Sequence, residues 1–174
     1  MIRTTTHNEI FIDREGVWYF GGAEMKRKDI VHYFYKYLKR DPHGQYQIEI
    51  ENDRCRVVVE DAPYVVKSID VGLCRHFNRP AIDVSLNDGS NEVLSLDAPL
   101  RIGDDHILYC KVKEGEHEAR FSRPAYYQFC RHIDYDSQRG EYRLLLNQRS
   151  YPLFLIKKWN RQESPEERCA LIPD

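Results

Sequence analysis

RKDIVHYFYKYLKRDPHGQY, from Arg27 to Tyr46, is the stretch on which the fold turns. Ile30, Tyr33, Phe34, Tyr37 and Leu38 fall at i, i+3, i+4, i+7 and i+8, the apolar stripe of an amphipathic helix. Lys36, Lys39 and Arg40 gather near its C-terminal end, where cations suit the helix dipole. Asp41-Pro42-His43-Gly44 stops it. A basic, aromatic helix admits three readings: a nucleic-acid surface, a membrane-seeking helix, or a buried element of the fold.

The whole chain narrows the choice. It has 174 residues, 41% hydrophobic and 31% charged, with a formal net charge of -2. That length suits one domain or two small domains sharing an interface. A near-neutral balance lacks the basic excess of a dedicated nucleic-acid binder. No stretch approaches the roughly 20 apolar residues of a membrane span. The N-terminal MIRTTTHNEIFIDREG has no apolar core of a secretory signal. Five scattered cysteines, Cys55, Cys74, Cys110, Cys130 and Cys169, form no paired framework and read as reduced thiols of a cytoplasmic protein.

Outward from the helix, strands dominate. NEIFIDREGVWYF reads as a hairpin turning at Asp13-Arg14-Glu15-Gly16, and Gly21-Gly22 breaks the pattern. After the helix, QYQIEIE and RCRVVVE alternate apolar and polar residues. YVVKSIDV resumes after Ala62-Pro63, completing an antiparallel meander. AIDVSLN, EVLSL and ILYCKVK follow, with a turn at Asn87-Asp88-Gly89 and another at Glu114-Gly115-Glu116. Ser122 is a good N-cap for a second helix, SRPAYYQFCRHI, in which Cys130 lies on the apolar stripe. EYRLLLNQ and SYPLFLI are two more strands. The tail from residue 157 is polar, and Ser164-Pro165-Glu166-Glu167 can start a short helix there.

A shift of 96 residues aligns the two helix-and-hairpin stretches. It pairs Arg27 with Arg123, Gly44 with Gly140 and Tyr46 with Tyr142. Met25 meets Phe121, Ile30 meets Tyr126, Tyr33 meets Phe129 and Tyr37 meets Ile133. In the strands, Ile48 meets Leu144, Ile50 meets Leu146, Val57 meets Leu153 and Val59 meets Leu155. Apolar positions match apolar ones and the helix-stopping glycine recurs. The expected fold is therefore α+β, two small domains at 1–78 and 79–174 from a duplicated helix-plus-antiparallel-hairpin unit. The second helix carries few basic residues, so the Tyr/Phe stripe of the first is read as core, against nucleic acid or membrane.

Longer stretches carry a resemblance: GVWYFGGAEMKRKDIVHYFYKYLKRDPHGQY, VVVEDAPYVV, LDAPLRI and EARFSRPAYYQF. Across residues 8–155 the chain resembles the bacterial family called domain of unknown function 1285. Its most specific pieces are Val59-Glu60-Asp61-Ala62-Pro63-Tyr64, and Arg123-Pro124 before Tyr126-Tyr127. The resemblance implies a two-part α+β fold with a duplicated motif, its second part like pleckstrin-homology folds. It implies no particular activity. It does imply a nucleotide-like ligand at the interdomain interface and a role in signalling.

Candidate binding residues follow. Arg27 and Arg123 sit at helix starts, where N–H groups favour anions and a neighbouring guanidinium recognises phosphate. A cation there opposes the helix dipole unless a partner compensates. Glu60 and Asp61 can hold ribose hydroxyls or clamp arginines; adjacent strand residues face opposite ways, which argues against one shared metal. Tyr126 or Trp18, if exposed, can stack on a base. Cys74-Arg75-His76 and Cys130-Arg131-His132 have the wrong spacing for zinc. No phosphate-loop, GxGxxG, GxSxG or HExxH motif occurs. The chain thus reads as a non-enzymatic binder of a small anionic, nucleotide-like ligand between domains, with no cofactor or metal and room for a protein partner. A pure protein-interaction module and an enzyme of unrecognised type stand as alternatives.

Overall fold

Asp13 shapes the first hairpin. Its carboxylate accepts N–H bonds from Glu15 and Val17, and Gly16, at φ 76°, returns its N–H to the Asp13 carbonyl. This joins strands β1 (Ile10–Ile12) and β2 (Trp18–Phe20), and Gly21-Gly22 turns the chain into β3 (Ala23–Glu24). The computed structural model describes residues 9–74, 79–95, 100–103, 106–146 and 148–156.

Helix α1 (Lys28–Tyr37) follows, shorter than its sequence suggests. Leu38 leaves helical geometry, and β4 (Leu38–Arg40) pairs with β5 (Tyr46–Ile50), Leu38 opposite Ile48. Nothing local breaks the helix at Tyr37; strand pairing overrides a mild helical preference. The turn uses Gly44 at φ 81°, with the Asp41 carboxylate accepting from His43 and Gln45. β6 (Asp53–Val59) then pairs with β5 and, in parallel, with β1. These strands form a six-stranded sheet ordered β3-β2-β1-β6-β5-β4.

At Glu60–Pro63 the chain changes sheets. β7 (Tyr64–Cys74) and β8 (Arg79–Leu86) form a long hairpin, continued by β9 (Asn91–Ser95). β10 (Leu100–Ile102), β11 (Leu108–Val112) and β12 (His117–Phe121) complete the run, β12 lying parallel to β7. With β16 (Leu155–Ile156) they make a seven-stranded sheet ordered β16-β10-β11-β12-β7-β8-β9. A division between residues 78 and 79 separates the paired strands β7 and β8; the two sheets part instead at Glu60–Pro63.

Helix α2 (Arg123–Cys130) is capped by Ser122, whose Oγ accepts the Ala125 N–H. It leads into β13 (Ile133–Asp136), β14 (Glu141–Leu146) and β15 (Arg149–Pro152), a three-stranded antiparallel sheet. The order helix, strand, strand, strand thus occurs twice. The 96-residue shift carries the Gln47–Arg56 pairing onto Arg143–Pro152, and Gly140 repeats the positive φ of Gly44. Ile48 and Leu144 are both buried, as are Val57 and Leu153. The helices do not obey the same shift. Tyr33 is 44% exposed while its counterpart Phe129 is 4% exposed, and α1 buries Tyr35 instead. Cys130, expected inside, is exposed.

A ladder of rings joins the two larger sheets. Trp18 meets Tyr35 edge-on at 4.9 Å, Tyr35 meets Tyr64 at 4.9 Å, Tyr64 meets His117 at 5.3 Å, and His117 stacks on Tyr46 at 5.8 Å. Each such contact is worth about 0.5–1.5 kcal/mol beyond burial. Asn87 ties the same joint: Nδ2 donates to the Tyr35 hydroxyl and Oδ1 accepts the Val65 N–H. Tyr35 in turn donates to the Pro63 carbonyl at the crossover.

Candidate functional site

Where the ladder ends, the sheets leave a cleft of about 610 Å³. One wall is α1, through His32, Tyr35 and Lys36. The facing wall is two turns of the seven-stranded sheet: Asp88-Gly89-Ser90 between β8 and β9, and Lys113 and Glu116 of the turn between β11 and β12. Tyr64 and His117 also line it. The sequence builds the first turn with Asp88, whose carboxylate accepts from the Ser90 N–H and hydroxyl, and with Gly89 at φ 83°. A Cβ on Gly89 would lie 3.6 Å from His32 Cε1, so helix and turn nearly touch.

Lys113 locks the two turns together. Its ammonium lies 2.8 Å from Asp88, 3.1 Å from Glu92 and 2.6 Å from the Ser90 hydroxyl, which occupies its three protons. Lys113 and Glu114 both adopt positive φ, a conformation that costs non-glycine residues energy and is held here by these bonds. Burial alone would raise the Asp88 carboxyl, but Lys113 and Ser90 outweigh it and hold its pKa below the ordinary value. Burial likewise opposes the Lys113 charge, and Asp88 and Glu92 more than restore it.

His117 is the unusual member. It is 3% exposed, and its Nδ1 is sealed from solvent with no hydrogen-bond partner. Burial pushes its pKa down, with Arg40, Lys113 and Lys111 adding to the effect against Glu116. The ring is therefore neutral. Among the described residues no carboxylate or carbonyl orients it, which a catalytic acid–base pair requires. Lys36 and His32 are exposed on the opposite wall. The arrangement offers an aromatic floor and polar rims, suited to holding a small polar ligand.

The residues expected to bind lie elsewhere. Arg27 starts α1 but is paired with Asp29 at 2.6 Å, so a carboxylate in the first turn compensates its charge. Arg123 is exposed at the start of α2. Neither lines the cleft. Glu60 and Asp61 do clamp arginines, and in opposite directions, though the arginines are others. Glu60 takes the Arg14 guanidinium at 2.6 Å and the Arg14 N–H. Asp61 accepts from the Tyr109 hydroxyl at 2.8 Å and faces Arg120 at 3.3 Å. Burial, then Asp61, pushes the Tyr109 hydroxyl up to about 12. These pairs fasten the first hairpin and the crossover to the second large sheet. Tyr126 is half-buried beside Tyr127. Trp18 corrects an expectation: 1% exposed and packed on Tyr35, it cannot stack on a base.

Sequence reasoning missed His32, Lys36, Lys113 and His117. The turn at Asn87-Asp88-Gly89 was legible, but not that it faces α1. Arg75 and His76 of the first Cys-Arg-His, and the possible helix from Ser164, lie outside the described residues. Among the described residues no three of His, Cys, Asp or Glu stand close enough to hold a metal, and no helix is long and apolar enough to cross a membrane.

Comparison with known proteins agrees with this architecture. Residues 3–62 match the model of Domain of unknown function (DUF1285), N-terminal domain, and that match ends where the chain changes sheets. The crystal structure of a DUF1285 family protein from Silicibacter pomeroyi DSS-3 has a TM-score of 0.68 at 22% identity, covering 84% of this chain and 80% of that one. A DUF1285 family protein from Shewanella baltica OS155 has a TM-score of 0.58 at 20% identity, covering 71% of this chain and 91% of that one. No curated protein matches the chain. The resemblance read from the residues therefore holds: residues 3–62 match the N-terminal DUF1285 model, and the fold is shared with two DUF1285 family proteins.

Proposed function

We propose that this chain is a non-enzymatic binding protein that takes a small anionic, nucleotide-like ligand in the cleft between α1 and the seven-stranded sheet. The observation that carries the reading is His117, buried at the floor of that cleft with a nitrogen that no group among the described residues satisfies. Lys36 and His32 supply exposed donors at the rim, and Tyr64 supplies a ring face. The ligand would touch both large sheets, so binding alters their joint, which suits a signalling role.

We also propose that the two helix-and-strand units descend from one duplicated unit, supported by the shared β5–β6 and β14–β15 register. Six strands of one sheet, β7 to β12, followed by α2 support the pleckstrin-like reading of the second part. A protein-interaction role has its own support in the exposed tyrosines Tyr127, Tyr135 and Tyr142.

The test is thermal shift against nucleotides and phosphorylated metabolites. A ligand at about 100 times its Kd adds roughly 2.7 kcal/mol. The expected hit disappears in Lys36→Ala with His32→Ala while the unliganded Tm is kept. A panel without hits leaves the interaction reading in its place.

A further inference from the structure

We propose that the cleft holds a dianionic group, a phosphate or its analogue, against His32, Lys36 and His117, and that binding draws one proton from solvent onto the His117 ring. This deepens the ligand-binding reading and rests on it.

Tyr46 of β5 stacks on one face of the His117 ring, and Tyr64 of β7 lies tilted beside it. Arg40 of β4, Lys111 of β11 and Lys113 of the following turn all oppose a charge on His117, and only Glu116 favours it. Asp88, the nearest carboxylate on the β8–β9 turn, is neutralised by Lys113. Across the cleft α1 contributes Lys36 and His32. The cleft thus sets a buried imidazole across from an exposed lysine and histidine, and burial first, with Arg40, Lys113 and Lys111 adding to it, keeps the ring neutral.

Burial and the neighbouring cations set this state, not a hydrogen bond: Nδ1 has no partner among the described residues, so none need break for the ring to change protonation. An entering dianion adds an attraction that opposes both burial and the neighbouring cations. An opposite charge within about 4–6 Å moves a pKa by roughly 1–3 units toward the charged form. The ring then gains a proton, the cleft gains a cation, and ligand and proton favour each other reciprocally. A neutral ligand of the same shape would leave His117 unprotonated.

Sulfate is the probe, because it stays a dianion without protons of its own from about pH 5.5 to 8.5, across the ordinary imidazole range. The measurement is the titration of the histidine ring resonances of the intact chain, with and without sulfate. The expected result is a His117 pKa raised by about one unit or more, with sulfate binding about tenfold tighter on the acid side than on the alkaline side. Lys36→Ala, at an exposed position, weakens sulfate and shrinks the His117 shift together. If sulfate perturbs His32 and Lys36 but leaves the His117 titration in place, the proton linkage is overturned and the anion cleft stands. If it perturbs none of them, both are overturned. His117→Gln adds a check where it folds: its sulfate affinity no longer varies with pH.

Discussion

Helix α1 and strands β4 to β6 sit inside a six-stranded sheet, whereas α2 and β13 to β15 end in a three-stranded one. The strand code of the two units is the same, with Gln47–Arg56 and Arg143–Pro152 in equivalent register. The surroundings differ at one edge. The Glu60 N–H donates to the Ile12 carbonyl of β1, and strand alternation turns the Arg56 N–H to that same edge. Pro152 holds the place of Arg56 and has no N–H to give. The first unit's sheet grows by β1, β2 and β3, and the three-stranded sheet stops at β15. Tyr46 follows suit: it stacks on His117, while its counterpart Tyr142 is 46% exposed. A repeated local pattern fixes pairing within a unit, and its neighbours decide which faces are buried.

The comparison breaks first at the helices. Tyr35→Ala removes ring contacts to Trp18 and Tyr64 and the bonds to Pro63 and Asn87. It is expected to cost about 3–5 kcal/mol by denaturant melts. Tyr33→Ala, two residues away on the exposed face, should leave the melting midpoint in place. If Tyr33 proves the costlier residue, the 96-residue shift holds through the helices as well and the assigned face of α1 is wrong.

Gly16 comes next. Its positive φ is strained for any other residue, and an added Cβ would meet Asn87 Nδ2 at 2.2 Å and Val65 at 2.9 Å. Gly16→Ala should cost about 1–3 kcal/mol. The shift-equivalent tyrosines then give a direct test of cover. Tyr46→Ala is expected to lose about 2 kcal/mol of stacking and burial, and Tyr142→Ala to stay within about 0.5 kcal/mol. Equal losses would mean that Tyr142 is covered in solution.

Much of this was legible in the residues. Alternation found β1, β2, β5 to β9, β11 and β14, read β15 and β16 as one strand, and Ser122 capped α2 as its side chain promised. The strands β3, β4, β10, β12 and β13 were not found: all but β12 have four residues or fewer, too brief to show a period, and β12 carries the polar residues His117, Glu118 and Arg120 among its five. Leu38 illustrates it: it completes an apolar helical stripe yet is a strand residue opposite Ile48. The parallel pairs β1–β6, β7–β12 and β10–β16 were equally invisible to a reading built on hairpins. The site was harder still. Arg27 and Arg123 stand out because they begin helices, but Asp29 already answers one of them. His117 and Lys113 stand out only after two sheets are folded against each other.

The smallest expected effect concerns that joint and its pH dependence. Burial holds the His117 pKa below the ordinary imidazole value, and the nearby cations add to it. The unfolded chain, with an ordinary value near about 6.5, then binds more protons than the folded one. Stability from this group is complete above that value and is lost as pH falls below it, toward the lower folded pKa, with a slope of at most about 1.4 kcal/mol per pH unit. The carboxylates Asp88 and Glu49, held below their ordinary pKa, contribute only at more acid pH. The loss between about pH 6.5 and 5 is therefore assigned to His117. Chemical melts across that range should show it in wild type and not in His117→Gln. Tyr142 has no histidine against it, so Tyr142→Phe should leave the slope unchanged, whereas Tyr46→Ala, which opens the ring to solvent, should flatten it.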